Sequence, residues 1–184
     1  MALSKIQSES INLADNFAFT GTVSGAGGIT GAEILYHTSQ TTLSSSYTKL
    51  PDWSSHNGSQ IGSIGSNLTN SSGDISFPST GIWLIQSRIT YYATGSTENR
   101  YCISQIRSST DSGSNYTVID ESIDNLVNVN SGGNDFTITQ NHYILDVTNT
   151  STQRIAFYAA AEATTKIETY NKATIFTAVR LGDT

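Results

Sequence analysis

The sequence predicts an all-β protein, an antiparallel jelly-roll sandwich preceded by an extended N-terminal arm. Charged residues make up only 13% of the 184 residues, and Ser, Thr, Asn and Gly take the place of the Glu, Lys, Ala and Leu that helical bundles require. Between Phe136 and Thr184, apolar and polar residues alternate, which is the period of a half-buried strand. A chain of this length forms one domain with one hydrophobic core.

Residues 1–31 are predicted to form an extended attachment arm, and residues 32–184 to form the jelly-roll domain. The apolar residues of the arm are too sparse to close a core of their own, and glycines interrupt any regular element before residue 32. Their side chains therefore need a partner surface, unless the segment is a disordered tail. The candidate partner-binding residues are Ile6, Ile11, Leu13, Phe17 and Phe19.

The strongest strand pattern covers residues 81–93. Trp83, Ile85, Ile89 and Tyr91 share one face, and the other face is also partly apolar. This pattern predicts a central strand that is covered on both sides, in part by another subunit. The chain as a whole is predicted to contain about eight strands, including those at 32–38, 100–107, 115–120 and 173–182.

Three segments are harder to interpret. Phe136 and Ile138 share one strand parity, and the apolar residues of the following stretch share the other, which predicts a bulge around residues 140–142. Residues 54–73, rich in Ser, Asn and Gly, are predicted to form a long surface loop or short edge strands. Residues 159–172 begin with an alanine-rich stretch that could be helical, although the threonines after it favour a strand.

No catalytic or metal-binding constellation is expected. His37, His56 and His142 lie far apart and have no neighbouring acidic ligand, so each is expected to be a surface or cross-strand residue and no zinc site is predicted. Cys102 is the only cysteine, which excludes an intrachain disulfide and predicts a buried, inert thiol. We therefore expect no metal, no cofactor and no enzymatic activity.

The densest acidic cluster consists of Asp120, Glu121 and Asp124. With Asp111 and Asn115 it could hold a hard cation such as Ca²⁺, but the spacing fits no Ca²⁺-binding loop, and a solvated turn is the simpler interpretation. The paired carboxylates of a glycoside hydrolase could be drawn from the same residues, without a known distance between them.

The charge balance excludes some classes of partner. The formal net charge is −6, and the nine Lys and Arg residues are scattered singly, so a nucleic-acid partner is not expected. No stretch reaches the roughly 20 apolar residues that span a bilayer, so no membrane partner is expected. The N-terminus lacks a signal-peptide pattern, which predicts a protein made in the cytoplasm.

Aromatic residues recur in and around the predicted strands. Strand tyrosines are usually core or interface residues, but some could form a sugar-binding face, because aromatic rings stack well on carbohydrate. The candidates are Trp53, Tyr91, Tyr92, Tyr101, Tyr116, Tyr143, Tyr158 and Tyr170.

The order of strand motifs resembles the jelly roll of the complement globular-head and tumour-necrosis-factor-like family. The motifs are GIWLIQSRITY from Gly81, FTI from Phe136, YILDV from Tyr143, RIAFY from Arg154 and ATIFTAVRL from Ala173. The resemblance covers roughly residues 32–182 and implies a homotrimer formed through strand faces rich in aromatic residues. The candidate trimer core or interface residues are then Trp83, Tyr91, Phe157 and Phe176.

The first residues of the chain carry a second resemblance. Residues 2–25, ALSKIQSESINLADNFAFTGTVSG, are similar to the N-terminal segment of structural proteins of tailed bacteriophages, notably those of marine and freshwater cyanobacteria. This resemblance implies a protein of the virion, made in the host cytoplasm. It does not indicate a particular part of the virion.

Three functions are compatible with these observations. The favoured one is a trimeric head-decoration (cement) protein that binds and stabilises the major capsid protein through its arm. The alternative is a short tail fibre, fibre adaptor or receptor-binding protein that recognises host surface glycans. A fibre needs a shaft of heptads or repeats, and the roughly 30 residues before the domain contain neither, so decoration is preferred. An enzyme such as a glycan depolymerase is the weakest hypothesis.

Overall fold

The computed structural model describes residues 28–56, 62–94, 98–128 and 133–184. The five candidate residues of the predicted arm, Ile6, Ile11, Leu13, Phe17 and Phe19, lie outside these ranges. Within them, the chain forms thirteen strands and one turn of 3₁₀ helix. The prediction of an all-β antiparallel sandwich is therefore confirmed. No helix of the described part is long and apolar enough to cross a membrane.

The strands follow one another with short connections. In chain order they are β1 (Gly31–His37), β2 (Thr42–Leu43), β3 (Thr48–Lys49), β4 (Trp53–Ser55), β5 (Thr69–Ser71), β6 (Asp74–Ser76), β7 (Gly81–Thr94), β8 (Asn99–Ser109), β9 (Thr117–Leu126), β10 (Asn134–Val147), β11 (Arg154–Ala161), β12 (Thr165–Ile167) and β13 (Ile175–Gly182). The 3₁₀ turn, Tyr170–Lys172, lies between β12 and β13.

These strands form two sheets. Sheet A contains β1, β2, β4, β7, β10, β12 and β13, and sheet B contains β3, β5, β6, β8, β9 and β11. Strand β7 is central in sheet A, because β10 pairs with one of its edges and β13 and β12 pair with the other. In sheet B, β11 lies between β6 and β8, and β9 pairs with β8. All these pairings are antiparallel.

The core lies between the sheets and centres on three aromatic rings. Trp53 of β4 and Phe176 of β13 come from sheet A, and Phe157 of β11 comes from sheet B. The ring centroids of Phe157 and Phe176 are 4.6 Å apart, and the Trp53 ring lies 5.1 and 5.0 Å from them. These separations are typical of tilted and edge-to-face aromatic packing, which adds to the gain from burial.

The structure places the four candidate core or interface residues inside one protomer. Trp83, Tyr91, Phe157 and Phe176 are each no more than 1% exposed. Alternate side chains of a strand point to opposite faces of its sheet, and these four point into the sandwich, where both sheets cover them. They form the core of a single chain, so an interface between chains must use other residues.

The predicted bulge around residues 140–142 is wrong. Strand β10 pairs with β7 over its full length, from Asn134 opposite Thr94 to Val147 opposite Gly81, without a shift in register. The apparent change of phase arises because the two apolar runs lie on opposite faces of one regular strand. The helical alternative for residues 159–172 is also not observed, because this stretch holds the end of β11, strand β12 and the 3₁₀ turn.

Replacing Phe157 with alanine tests the aromatic core. We expect Phe157→Ala to lower the free energy of unfolding by about 3–5 kcal/mol, because the cavity between the sheets cannot collapse fully. Urea denaturation followed by tryptophan fluorescence measures the change. Val127→Ala, at a side chain that is 54% exposed, is the control and should change stability by less than about 0.5 kcal/mol. Equal effects of the two substitutions would contradict this account of the core.

Candidate functional site

Strand β10 presents apolar side chains to solvent. Phe136, Ile138 and Ile144 are 54%, 46% and 60% exposed, and they alternate with residues that point into the sandwich. Opposite them on β7 lie Tyr92, Thr90 and Leu84, respectively. We call the side of β7, β10 and β13 that carries these residues the outer face of sheet A. It is the candidate functional site, because an exposed apolar patch on a folded domain usually marks an interaction surface.

A groove of about 400 Å³ crosses one end of this face. Its floor is fixed by Arg88 and Thr90, whose Nε and Oγ1 both donate hydrogen bonds to the Ala173 carbonyl, at 3.0 and 2.9 Å. Tyr170, which is 76% exposed, stands at its rim. The groove is lined by Arg88, Thr90, Phe136, Ile138, Glu168, Tyr170, Asn171 and Ala173.

The inner side of β10 is polar at the same end. Thr139 donates a hydrogen bond to Ser104 Oγ at 2.6 Å, and Asn141 Nδ2 donates to Asp120 Oδ2 at 3.0 Å. Thr139 and Asn141 are buried between the sheets, where such bonds offset the cost of removing polar groups from water. Along this half of β10 the usual polarity is reversed, with polar groups inside and apolar groups outside.

The acidic cluster of Asp120, Glu121 and Asp124 lies on β9 and is not a turn. The three carboxylates have separate partners. Asp120 accepts from Asn141 and from the backbone N–H of His142, Asp124 accepts from Thr137, and Glu121 accepts from Tyr47 and Gln105. In the described ranges no three His, Cys, Asp or Glu side chains are grouped to hold a metal ion. Asp120 and Asp124 instead connect β9 to β10 across the sandwich.

The three histidines occupy different environments. His37 on β1 is fully buried beside its cross-strand partner Trp53, with the ring centroids 5.1 Å apart. Its Nε2 lies 3.0 Å from Thr41 Oγ1. Burial lowers the pKa of His37, although the nearby Asp52 carboxylate opposes this shift. His56 lies against Tyr36, and His142 is exposed on β10.

The single cysteine is buried, as the sequence predicts. Cys102 on β8 is inaccessible to solvent. Burial raises the pKa of its thiol to about 12, so the reactive thiolate is strongly disfavoured at neutral pH. This supports an inert role in packing.

The outer face of sheet B carries a second cluster. Arg107 of β8 packs against Tyr158 of β11 and against Tyr47, with its Cζ 4.0 and 5.0 Å from the two ring centroids. Tyr116 lies beside Tyr158, with ring centroids 6.0 Å apart. We call Tyr47, Tyr116, Tyr158 and Arg107 the tyrosine platform. Sequence reasoning singled out Tyr116 and Tyr158 but missed Tyr47 and Arg107, which only strand register brings to the same place.

The two-layer topology defines a tumour-necrosis-factor-like jelly roll. No family model matches the sequence, and no curated protein matches it. Solved structures do match. The chain is similar to murine APRIL at pH 5.0 (TM-score 0.59, 12% identity, covering 82% of this chain and 98% of that one). It is also similar to Eiger TNF from S. frugiperda (TM-score 0.60, 13% identity, covering 83% and 93%). At this identity the likeness establishes the fold.

The buried His37 should make stability depend on pH. Because burial lowers its pKa in the folded state, the unfolded state binds the proton more readily. The contribution of neutral, buried His37 to the free energy of unfolding is fully present above about pH 6.5 and is lost progressively as the pH falls below that value. We expect the free energy of unfolding from urea titrations to be lower at about pH 5.5 than at about pH 7.5, and His37→Gln to reduce this difference. His142→Gln, at an exposed site, is the control and should retain the wild-type difference; an unchanged difference in His37→Gln would contradict the assignment.

Proposed function

We propose that this chain is a non-enzymatic structural protein that forms a homotrimer through the outer face of sheet A. The observation that carries the proposal is the exposure of Phe136 and Ile138 above a polar interior, and of Ile144 farther along the same strand, β10. The hydrophobic effect favours covering such side chains. A second copy of the chain can bury them, and stable interfaces of this kind remove about 1,600 Å² from water in total.

Unpaired strand edges support this arrangement. In the described part of the chain, β9 pairs only with β8, and β10 pairs only with β7. A long edge strand exposes hydrogen-bonding groups and is usually covered in native proteins. If this edge of one copy packs against the outer face of sheet A of the next, the contact is head-to-tail, and such contacts form a closed ring when the rotation between copies closes. The proposed number of copies in the ring, three, is taken from the resemblance to the tumour-necrosis-factor-like jelly roll.

The proposed setting is a bacteriophage virion. It is supported by the similarity of residues 2–25 to the N-terminal segment of tailed-phage structural proteins. In this proposal, the trimer is a head-decoration protein and its arms place their apolar residues on the major capsid protein. Three linked arms would bind with much higher avidity than one, since each binding event raises the effective concentration of the others.

A charge on the outer face of sheet A should prevent trimer formation. We expect Ile138→Asp to give a folded monomer, because three buried carboxylates without partners would be strongly unfavourable in the interface. Sedimentation equilibrium measures the mass, and circular dichroism checks the fold. Ile64→Asp, at a 48% exposed side chain beside β1 and away from β9 and β10, is the matched control and should remain trimeric. A monomeric wild-type protein, or a trimeric Ile138→Asp variant, would refute this interface.

Removing the arm should separate assembly from attachment. We expect deletion of residues 2–20 to abolish binding to capsid particles lacking the protein and to leave the trimer folded. Co-sedimentation with particles measures binding, and analytical ultracentrifugation measures the trimer. A deletion variant that still binds particles would exclude the arm as the attachment element.

The proposal is tested as a whole by locating the labelled protein on assembled particles with cryo-electron microscopy. Density distributed over the head, at symmetry or quasi-symmetry axes, would support decoration. Density restricted to the tail would refute decoration and would favour the alternative of a short fibre, adaptor or receptor-binding protein.

A further inference from the structure

The tyrosine platform lies on a transverse row of sheet B. Lys49 pairs with Tyr158, Tyr158 with Gln105, and Gln105 with Glu121, on strands β3, β11, β8 and β9. Directly paired residues of antiparallel strands share a face, so these four side chains line up across the outer surface. Arg107 lies two residues from Gln105 and therefore faces the same way.

Hydrogen bonds among polar side chains fix the groups that contact the Tyr47 and Tyr158 rings. Arg107 Nε donates to Gln105 Oε1 at 2.7 Å, and Gln105, which is only 4% exposed, donates in turn to Glu121. Tyr47 OH donates to Glu121 Oε2 at 3.0 Å. Gln105 thus fixes both the cation that packs against the Tyr47 and Tyr158 rings and the carboxylate that accepts from Tyr47 OH.

Part of the hydrogen-bonding capacity of this row is unused. Among the described residues, the terminal Nη atoms of Arg107 and the Oε1 atom of Glu121 have no hydrogen-bond partner. Donors and an acceptor are therefore available beside half-buried and exposed aromatic rings; Tyr47 is 39% exposed. A ligand that alternates hydroxyl groups with C–H faces can use both kinds of group at once.

The charges on and beside the tyrosine platform offset one another. Lys49 forms an ion pair with Asp74 at 2.5 Å and lies 5.3 Å from the centroid of the Tyr116 ring. Tyr116 OH donates to the same carboxylate. Lys49 and Arg107 are therefore balanced by Asp74 and Glu121, and Arg154, which also acts on Tyr116, donates its hydrogen bonds to the carbonyls of Thr150, Ser151 and Gln153. This balance disfavours an anionic ligand, which would need unpaired positive charge, and favours a neutral one.

We propose that the tyrosine platform binds neutral oligosaccharides, with a sugar ring stacked on the exposed Tyr47 ring and hydroxyl groups bonded to Arg107 and Glu121, while Tyr158 supports Arg107 from below. Sheets A and B present their outer faces in opposite directions, so a contact on the outer face of sheet A does not itself cover the tyrosine platform; the β9 edge used in the proposed trimer borders the platform at Glu121. The inference goes beyond the proposed function and does not depend on it. A single protomer contains every residue it needs.

The test measures binding of the full chain to neutral polysaccharides (dextran, mannan, galactan) and chitooligosaccharides, with dextran sulfate as the anionic comparison. Affinity electrophoresis and calorimetry are suitable. We expect binding to at least one neutral probe, insensitive to salt, since neutral ligands are not screened. Tyr47→Ala should weaken it about three- to tenfold, the effect of losing one aromatic contact. Tyr47→Phe should have a smaller effect because it keeps the ring.

Two further variants keep the test decisive. Glu121→Gln should not strengthen binding to the neutral probe, whereas an anion site would bind more tightly when this negative charge is removed. Leu181→Ala, at a 49% exposed side chain away from the platform, should bind like the wild type, and thermal unfolding confirms that each variant is folded.

The proposal is overturned if no neutral probe binds, if only dextran sulfate binds and salt releases it, or if folded Tyr47→Ala binds as well as the wild type. The mass of the same samples is measured in parallel. A trimer that binds no glycan would refute the platform alone, and a monomer that binds glycan would refute the trimer alone.

Discussion

The structure depends on the contact of Trp53, Phe157 and Phe176 between the sheets. Two of these rings belong to sheet A and one to sheet B, and their centroids lie within about 5 Å of one another. Trp53 Nε1 donates to the Leu50 carbonyl at 2.8 Å, so the only polar atom of the cluster is satisfied. Because this contact fixes the two layers back to back, their outer faces point away from each other and can serve separate partners.

The two outer faces differ in chemistry. On sheet A, the outer face combines the exposed apolar residues Phe136, Ile138 and Ile144 with polar residues such as Gln140 and His142, a mixture that suits an interface with another protein. On sheet B, tyrosine rings alternate with paired charges and an amide, which suits a hydrated ligand that forms and breaks hydrogen bonds. Strand β10 contributes the apolar residues of the first face. Its inward-pointing side chains Thr139 and Asn141 are polar and form hydrogen bonds with Ser104 and Asp120, while Phe136 and Ile138 point outward.

Much of the fold could be predicted from the sequence, because core residues impose a period of two. The strand predicted at 81–93 is observed at Gly81–Thr94, with the predicted residues inside. The outward position of Phe136 could not be predicted, since alternation alone does not tell which parity is buried when polar residues pair inside. The tyrosine platform could not be predicted either. Tyr47 and Arg107 are 60 positions apart in the sequence, and their contact depends on the register of three strands.

The position of β13 has a consequence for biosynthesis. Residues 175–182 form a strand inserted between β1 and β7, so sheet A is divided until this segment has left the ribosome. Before β13 is synthesised, the long strand β7 can pair with β10 but lacks β13 on its other edge. Strand β1 can then pair only with the short strand β4 and the bridge at Ile64. Sheet A therefore cannot form completely before β13 is synthesised, and until then the nascent chain exposes strand edges that can pair with other chains. Truncation before residue 175 would remove a strand from the interior of sheet A and leave β1 and β7 without their shared partner.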